Sequence, residues 1–120
     1  MGYKINWFEI PANDFDRAAT FYDTIFGMPL QRDVFMDIPQ GFFLNDDQYP
    51  IGALVLNPDY TPGAQGTVLY LNAGDQLDAI ISRVEAAGGK IIAPKFSINE
   101  QGQMAIVQDT EGNHIALHTA

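Results

Sequence analysis

The chain has no cysteine, which excludes disulfides, thiolate metal sites and a cysteine nucleophile. A chain without thiols is compatible with a reducing compartment, and we expect a cytoplasmic protein. No stretch approaches the roughly 18 consecutive apolar residues of a membrane-spanning helix, and the first residues lack the pattern of a signal peptide. We therefore expect no membrane partner.

Basic residues are scarce. Six Lys and Arg stand against 15 Asp and Glu, which gives a formal net charge of −9. This charge repels phosphate backbones, so it argues against nucleic acid as a partner. It attracts cationic ligands, although acidic surfaces also serve solubility alone. The length of 120 residues predicts a single domain, residues 1–120, whose core needs no disulfide or metal.

The main positive feature is an internal repeat of about 61 residues, whose first copy opens the chain. A strand is predicted over residues 5–10. A helix is predicted over residues 15–26, because its apolar residues recur at the three-and-four spacing of a one-sided helix. Asn13 is the expected N-cap of this helix, and Gly27 is expected to end it.

The second copy of the repeat has the same order of elements. A strand is predicted over residues 68–72 and a helix over residues 77–87, with Asp75 as the expected N-cap and Gly88 as the stop. The apolar stripes of the two helices align position for position. The repeat therefore predicts two modules of the same architecture.

Short strands are expected after each helix. They cover about residues 30–35, 41–44 and 53–56 in the first half, and 90–92, 104–108 and 114–118 in the second. We therefore predict an α+β fold of two tandem βαβββ modules, about residues 1–57 and 67–120, joined by a Pro/Gly-rich linker of about residues 58–66. One helix covers one face of each four-stranded sheet, and the other face must be covered by the opposite module, a second chain or a ligand.

Two motifs resemble those of a known family. The run NDFDRAATFY from Asn13 to Tyr22, followed by Phe26-Gly27, resembles the first-helix motif D-L-x-R-A-x-x-F-Y … L-G of the glyoxalase/bleomycin-resistance/extradiol-dioxygenase family, also called the vicinal oxygen chelate superfamily. The run DTEGNHI from Asp109 resembles its closing turn, D-P-x-G-N-x-I. The resemblance covers nearly the whole chain and looks closest to stand-alone bacterial glyoxalase-like proteins. It implies a cup whose concave face binds a metal and a small molecule.

The resemblance also indicates where the family's metal ligands would lie. They occupy the first and fourth strands of each module, and these positions correspond to Trp7, Val55, Val68 and Ala116. None of these side chains offers the imidazole nitrogen or carboxylate oxygen that such cations need. We therefore expect no metal and no cofactor at the usual position. This puts in doubt the isomerisation, ring-cleavage and thiol-transfer activities of the family.

Strand alternation predicts which side chains line the cup. The expected ligand-binding residues are Trp7, Glu9, Tyr70, Asn72 and His118, while His114 is expected near the solvent-exposed rim. Trp7 also fits a wall or a dimer contact, and His118 lies near the C-terminus, where it fits a merely exposed residue. An inward Glu9 is either functional or paired with His118 or Arg32 in a structural network, because an unpaired buried carboxylate is costly.

These observations leave three hypotheses open. The first is a metal-independent protein that binds or sequesters a cationic or aromatic small molecule, as the bleomycin-resistance branch of the resembled family does. The alternative is a lyase- or isomerase-like enzyme that uses Glu9 and His118 as acid and base without the usual metal. The third is an interaction module whose cup is filled by its own side chains. We also expect a homodimer, because short sheets leave free edges and a curved face to cover.

Overall fold

The computed structural model describes residues 1–120 and contains two consecutive βαβββ modules. Module 1 contains β1 (Phe8–Pro11), α1 (Phe15–Phe26), β2 (Gln31–Phe35), β3 (Ile38–Leu44) and β4 (Pro50–Val55). Module 2 contains β5 (Leu69–Asn72), α2 (Leu77–Val84), β6 (Lys90–Ser97), a 3₁₀ turn (Asn99–Gln101), β7 (Gln103–Gln108) and β8 (His114–Thr119). The predicted α+β fold is confirmed.

Each module folds into its own four-stranded mixed sheet. The strand orders are β1-β4-β3-β2 and β5-β8-β7-β6, with the first pair parallel and the others antiparallel. Strands β1 and β5 are therefore edge strands, and no strand pairing joins the two sheets. No helix is long and apolar enough to cross a membrane.

The helix ends differ in detail from the sequence-based expectation. Asp14, not Asn13, is the N-cap of α1, because its carboxylate accepts the backbone N–H of Arg17. No side chain caps α2, which follows Gln76, so the expected cap at Asp75 was wrong. Gly27 ends α1 in the left-handed conformation as expected, with φ of 68°.

Five element bounds also differ from the expectation by three residues or more. Strand β3 begins at Ile38, not at residue 41, because it already pairs there with Phe35 of β2. Strand β4 begins at Pro50, not at residue 53, because its pairing with β3 extends closer to the turn between them.

The other three bounds lie in α2, β1 and β6. Helix α2 ends at Val84, not at residue 87, because the chain then tightens into turns. Strand β1 begins at Phe8, not at residue 5. Its pairing with β4 starts opposite Gly52, close to Pro50, which has no N–H for a ladder. Strand β6 continues to Ser97, well beyond residue 92, through two register irregularities against β7.

The modules are joined through their helix-covered faces. Helix α1 packs against α2, and one cluster of buried apolar side chains contains residues of both modules. Its strand members include Ile10 and Leu54 from module 1 and Ile115 and Leu117 from module 2. Successive side chains of a strand point to opposite faces, so Trp7 and Glu9 in module 1 point away from this core. Val68 and Tyr70 in module 2 do the same.

A buried carboxylate, Asp109, connects the two modules. It accepts the phenol O–H of Tyr22 on α1 at 2.6 Å and the amide N–H of Asn113 at 2.9 Å. The same amide nitrogen of Asn113 donates to the carbonyl of Pro11 at 2.8 Å. Burial, followed by the charge of Asp109, raises the pKa of Tyr22 well above its usual value, so the phenol stays a donor.

A second carboxylate, Glu111, caps α1 from the other module. It accepts the backbone N–H groups of Asn13 at 2.9 Å and Asp14 at 2.8 Å, and Nε of Arg17 at 2.9 Å. Burial alone would raise the pKa of Glu111. The hydrogen bonds from Arg17, from the two N–H groups and from the Thr110 hydroxyl outweigh burial and lower this pKa to about 2. The ionised side chain of Glu111 is fully buried, so its hydrogen bonds to α1 are part of the interface between the modules.

We predict that Glu111→Gln lowers the free energy of unfolding at pH 7 by on the order of 3 kcal/mol. The neutral amide loses the ion pair with Arg17. Its NH₂ group also faces N–H groups that need an acceptor. Because the folded pKa of Glu111 is below its ordinary value of 4.5, its stabilisation is complete above about pH 4.5. It is lost as the pH falls towards about 2. Urea unfolding of parent and variant at several pH values measures both effects.

The matched control is Glu100→Gln in the exposed 3₁₀ turn, which removes the same charge without touching the interface. It should change the unfolding free energy by a few tenths of a kcal/mol at most. Equal destabilisation by the two variants would show that net charge, and not the Glu111 contact, sets the difference.

Candidate functional site

A cleft of about 650 Å³ opens between the free edges of β1 and β5. Trp7 and Glu9 line it from the β1 side, Val68 and Tyr70 from the β5 side, and His114 from the start of β8. Its lining contains no Lys or Arg. The cleft therefore combines apolar and polar side chains of both modules, as ligand pockets do.

Glu9 is exposed and has no basic partner. The nearest polar contact is the indole Nε1 of Trp7, 3.4 Å from its Oε2. Arg32 forms its ion pair with Asp23 at 2.7 Å, so it is not the structural partner of Glu9 that the sequence offered as one alternative. The ring of His118 is hydrogen-bonded to the carbonyl of Gln101, so it does not pair with Glu9 either. The carboxylate of Glu9 is available to a ligand.

Three aromatic residues lie around Glu9. Trp7 packs edge-to-face on Phe42 with ring centroids 6.1 Å apart and remains 39% exposed, and Tyr70 is 55% exposed. Glu9 also lines a smaller adjoining cavity of about 370 Å³, where Tyr60 of the inter-module linker is its neighbour. Sequence reasoning missed Tyr60, because an irregular linker carries no periodicity that predicts where its side chains lie.

Two of the expected ligand-binding residues lie outside this cleft. Asn72 and His118 are partners in the β5–β8 ladder at its far end. The Asn72 side chain accepts the N–H of Gly74 at 2.9 Å, and Nε2 of His118 is 2.6 Å from the carbonyl of Gln101. Both side chains are thus engaged in local contacts.

His114 lies in the cleft with Glu9, although we expected it to face solvent. Its Nε2 is 3.2 Å from the side-chain oxygen of Gln108, and the ring is half-buried. Its position follows from the way β8 begins next to Asn113, the residue that is bonded to the end of β1. The cleft therefore contains one carboxylate and one imidazole, from different modules.

The four positions that would hold a metal do not suit one. Trp7 and Val68 are partly exposed, whereas Val55 and Ala116 are 3% and 0% exposed. None of them has an oxygen, nitrogen or thiolate donor for a divalent cation. Nor does any group of three or more His, Cys, Asp or Glu side chains converge elsewhere in a way that could hold a metal. The donor chemistry of this chain does not fit the metal that the family resemblance implies.

A broader depression of about 800 Å³ lies beside the N-terminus of α1. Its charged lining mixes Asp14, Asp16 and Asp33 with Arg32, whose guanidinium is already bonded to Asp23. No residue of β1 or β5 lines this depression. We therefore place the candidate site in the cleft between β1 and β5.

The architecture of the chain is thus two tandem βαβββ modules with a cleft between their edge strands. A family model for the Glyoxalase/Bleomycin resistance protein/Dioxygenase superfamily matches residues 4–117. The chain belongs to this superfamily. A glyoxylase-like domain-containing protein of Didymella fabae is 34% identical over 121 residues, which cover 97% of this chain and 93% of that protein.

Other relatives are longer or more distant. A candidate glyoxylase of Mycobacterium bovis, CFP32, is 26% identical, and the match spans 96% of this chain but 45% of that protein. Glyoxalase I from Zea mays superposes with a TM-score of 0.73 at 20% identity, over 96% of this chain and 44% of that one. A glyoxalase-related enzyme from Fulvimarina pelagi gives 0.72 at 19% identity, with 98% and 88% covered. At these identities the structures share the fold.

Proposed function

We propose that the protein binds an organic cation with an aromatic or apolar body in the cleft between β1 and β5. The observation that carries this proposal is the carboxylate of Glu9, which forms no ion pair and lies in a cleft without Lys or Arg. A cation placed there would neutralise the carboxylate and contact the faces of Trp7 and Tyr70, since aromatic faces attract cations. The net charge of −9 favours the approach of such a ligand.

The proposed role is binding or sequestration without a metal. It fits the bleomycin-resistance branch of the superfamily, in which the resemblance implies capture of a cationic drug. Binding needs no metal ligand, so the apolar side chains at the four ligand positions are compatible with it. A cytoplasmic location remains part of the proposal.

We predict that Glu9→Gln weakens binding of benzyltrimethylammonium about tenfold, because it removes the opposite charge and keeps the shape. Trp7 is the only tryptophan in the chain and lies in the cleft, so its fluorescence reports occupancy directly. Titration with benzyltrimethylammonium, benzyl alcohol and benzoate compares a cation, a neutral molecule and an anion of similar size.

The variant should lose its preference for the cation and keep its affinity for benzyl alcohol. Glu85→Gln is the matched control, since Glu85 is exposed after α2 and away from the cleft. If Glu9→Gln bound the cation as well as the parent does, Glu9 would not belong to the site. If Glu85→Gln lost as much affinity, the net charge of the protein, and not Glu9, would explain the effect.

We predict that ligand binding does not depend on a metal. The purified protein should contain less than stoichiometric nickel, zinc, iron or manganese, and EDTA should leave the fluorescence titration unchanged, because the usual positions offer no donors. Stoichiometric metal that EDTA removes together with ligand binding would contradict this.

A second candidate function is proton transfer of lyase or isomerase type. The observation that favours it is the presence of Glu9 and His114 in one cleft, where a carboxylate and an imidazole can act as base and acid. His114 thereby replaces His118, the residue that the sequence suggested. In this role Glu9 takes a proton from a carbon beside a carbonyl, and His114 donates a hydrogen bond to the carbonyl oxygen.

Phenacyltrimethylammonium is a suitable probe, since it combines the cation, the ring and an acidic CH₂ beside a carbonyl. In deuterated water, proton NMR follows the exchange of that CH₂. If the cleft transfers protons, the parent should accelerate exchange above the buffer rate, and both Glu9→Gln and His114→Gln should abolish the acceleration. Exchange at the buffer rate in the parent would leave binding as the proposed function.

A further inference from the structure

Glu9 lies at the junction of two cavities. The larger is the cleft between β1 and β5, and the smaller is the adjoining cavity of about 370 Å³ between β1, the end of β4 and the linker. The adjoining cavity is lined by Glu9, Pro11, Val55, Tyr60 and Thr61. Since Glu9, Pro11 and Thr61 also line the cleft, a ligand bound to the Glu9 carboxylate can extend into both cavities.

Hydrogen bonds on both sides of Tyr60 hold the linker against the strands. Before it, the side chain of Asn57 accepts the N–H of Asp59, and the Asn57 carbonyl accepts the N–H of Tyr60, both at 3.0 Å. After it, the N–H of Gly63 donates to the side chain of Asn113 at 3.0 Å. Tyr60 itself remains 63% exposed, so its ring is not used by the core and is free to contact a ligand.

The adjoining cavity offers few acceptors to a ligand with N–H groups. The carbonyl of Pro11 already accepts the side-chain amide of Asn113 at 2.8 Å, and the carbonyl of Val55 accepts the N–H of Ala12 at 2.9 Å. Among the lining side chains, one carboxylate and two hydroxyls remain. A primary ammonium has three N–H donors and a guanidinium has five, so either group would give up hydrogen bonds to water that this cavity does not replace.

We propose that the adjoining cavity holds the cationic head of the ligand, and that this head is a methylated ammonium, either tertiary or quaternary. The inference rests on the proposed function, since it assigns the two ends of the organic cation bound there. A quaternary ammonium has no N–H group, and its methyl groups contact the face of the Tyr60 ring and the apolar surfaces of Pro11 and Val55. Glu9 supplies the opposite charge, and the body of the ligand lies along the cleft beside Trp7.

A methylation series tests the nature of the head. Benzylammonium, benzyldimethylammonium and benzyltrimethylammonium all carry one positive charge at pH 7, and the fluorescence of Trp7 follows their binding. The dissociation constant should fall at each step and be about tenfold lower for the trimethyl compound than for benzylammonium. Tyr60→Leu keeps an apolar side chain but removes the aromatic face, so this ratio should fall to about twofold.

Two further variants separate the ring from other effects. Tyr60→Phe keeps the aromatic face and should keep the ratio, so a loss there would assign the effect to the hydroxyl. Tyr49→Leu is the matched control, because Tyr49 is 69% exposed just before β4 and lines neither cavity. The same ratio in the parent and in Tyr60→Leu, or tighter binding of benzylammonium than of the trimethyl compound by the parent, would overturn the proposal.

Nuclear Overhauser effects locate the two ends of bound benzyltrimethylammonium. Its methyl protons should contact the ring protons of Tyr60, and its phenyl protons should contact the indole of Trp7. The Tyr60 contact is identified by its loss in Tyr60→Leu and its persistence in Tyr49→Leu. Methyl contacts to Trp7 or Tyr70 without any to Tyr60 would place the head in the cleft and contradict the assignment.

The failure of this proposal is distinguishable from that of the proposed function. If the three ammonium compounds bind with equal affinity and Glu9→Gln weakens all of them, the cleft binds organic cations but has no preference for a methylated head. If none of the three binds to the parent, the proposed function is wrong and the methylated head is wrong with it.

Discussion

The buried carboxylate of Asp109 is the contact on which the arrangement of the two modules depends. It accepts hydrogen bonds from Tyr22 of one module and Asn113 of the other, and Asn113 also contacts the end of β1. A buried charge is stable only when its donors are in place, so this network tolerates one relative placement of the modules. Glu111 strengthens the same junction from the neighbouring position, where it caps α1.

This junction explains why a cleft exists at all. The modules meet through their helices and the β7–β8 turn, so their sheets are not joined edge to edge. The edges of β1 and β5 consequently remain free on either side of a gap. Side chains that would have been separate exposed residues in isolated modules, such as Glu9 and His114, line one cleft. The site is a product of the interface between modules.

The superfamily fold is preserved, while the positions that the resemblance assigns to metal ligands carry side chains without donors. The four usual ligand positions carry aromatic or aliphatic side chains, and two of them, Val55 and Ala116, are closely packed. The carboxylate in the cleft comes instead from Glu9 of β1, which lies opposite the buried Ala53 of β4. A shared fold therefore says little about the reaction, and the side chains of the cleft decide what it binds.

Much of the fold follows from the sequence because helix and strand periods are local properties. The stripes of α1 and α2 and the alternation of Trp7 with Phe8 are visible without a structure. The end of α2 and the start of β1 were misplaced, since turns and a neighbouring proline decide them. Trp7, Glu9 and Tyr70 were assigned to one surface by alternation alone.

Only the tertiary structure decided which of these residues share a cleft. Strand parity places Tyr70, Asn72, His114 and His118 on the same side of a sheet, but it does not say how far apart they lie or what faces them. His114 shares the cleft with Glu9 and Tyr60 shares the adjoining cavity with it, while His118 is hydrogen-bonded to the carbonyl of Gln101 outside the cleft. The sequence by itself determined the repeat and the faces of the strands, and it shows which side chains stand at the positions that the resemblance assigns to a metal. Distances across the chain were set by the interface between modules, because long-range packing leaves no period in the sequence.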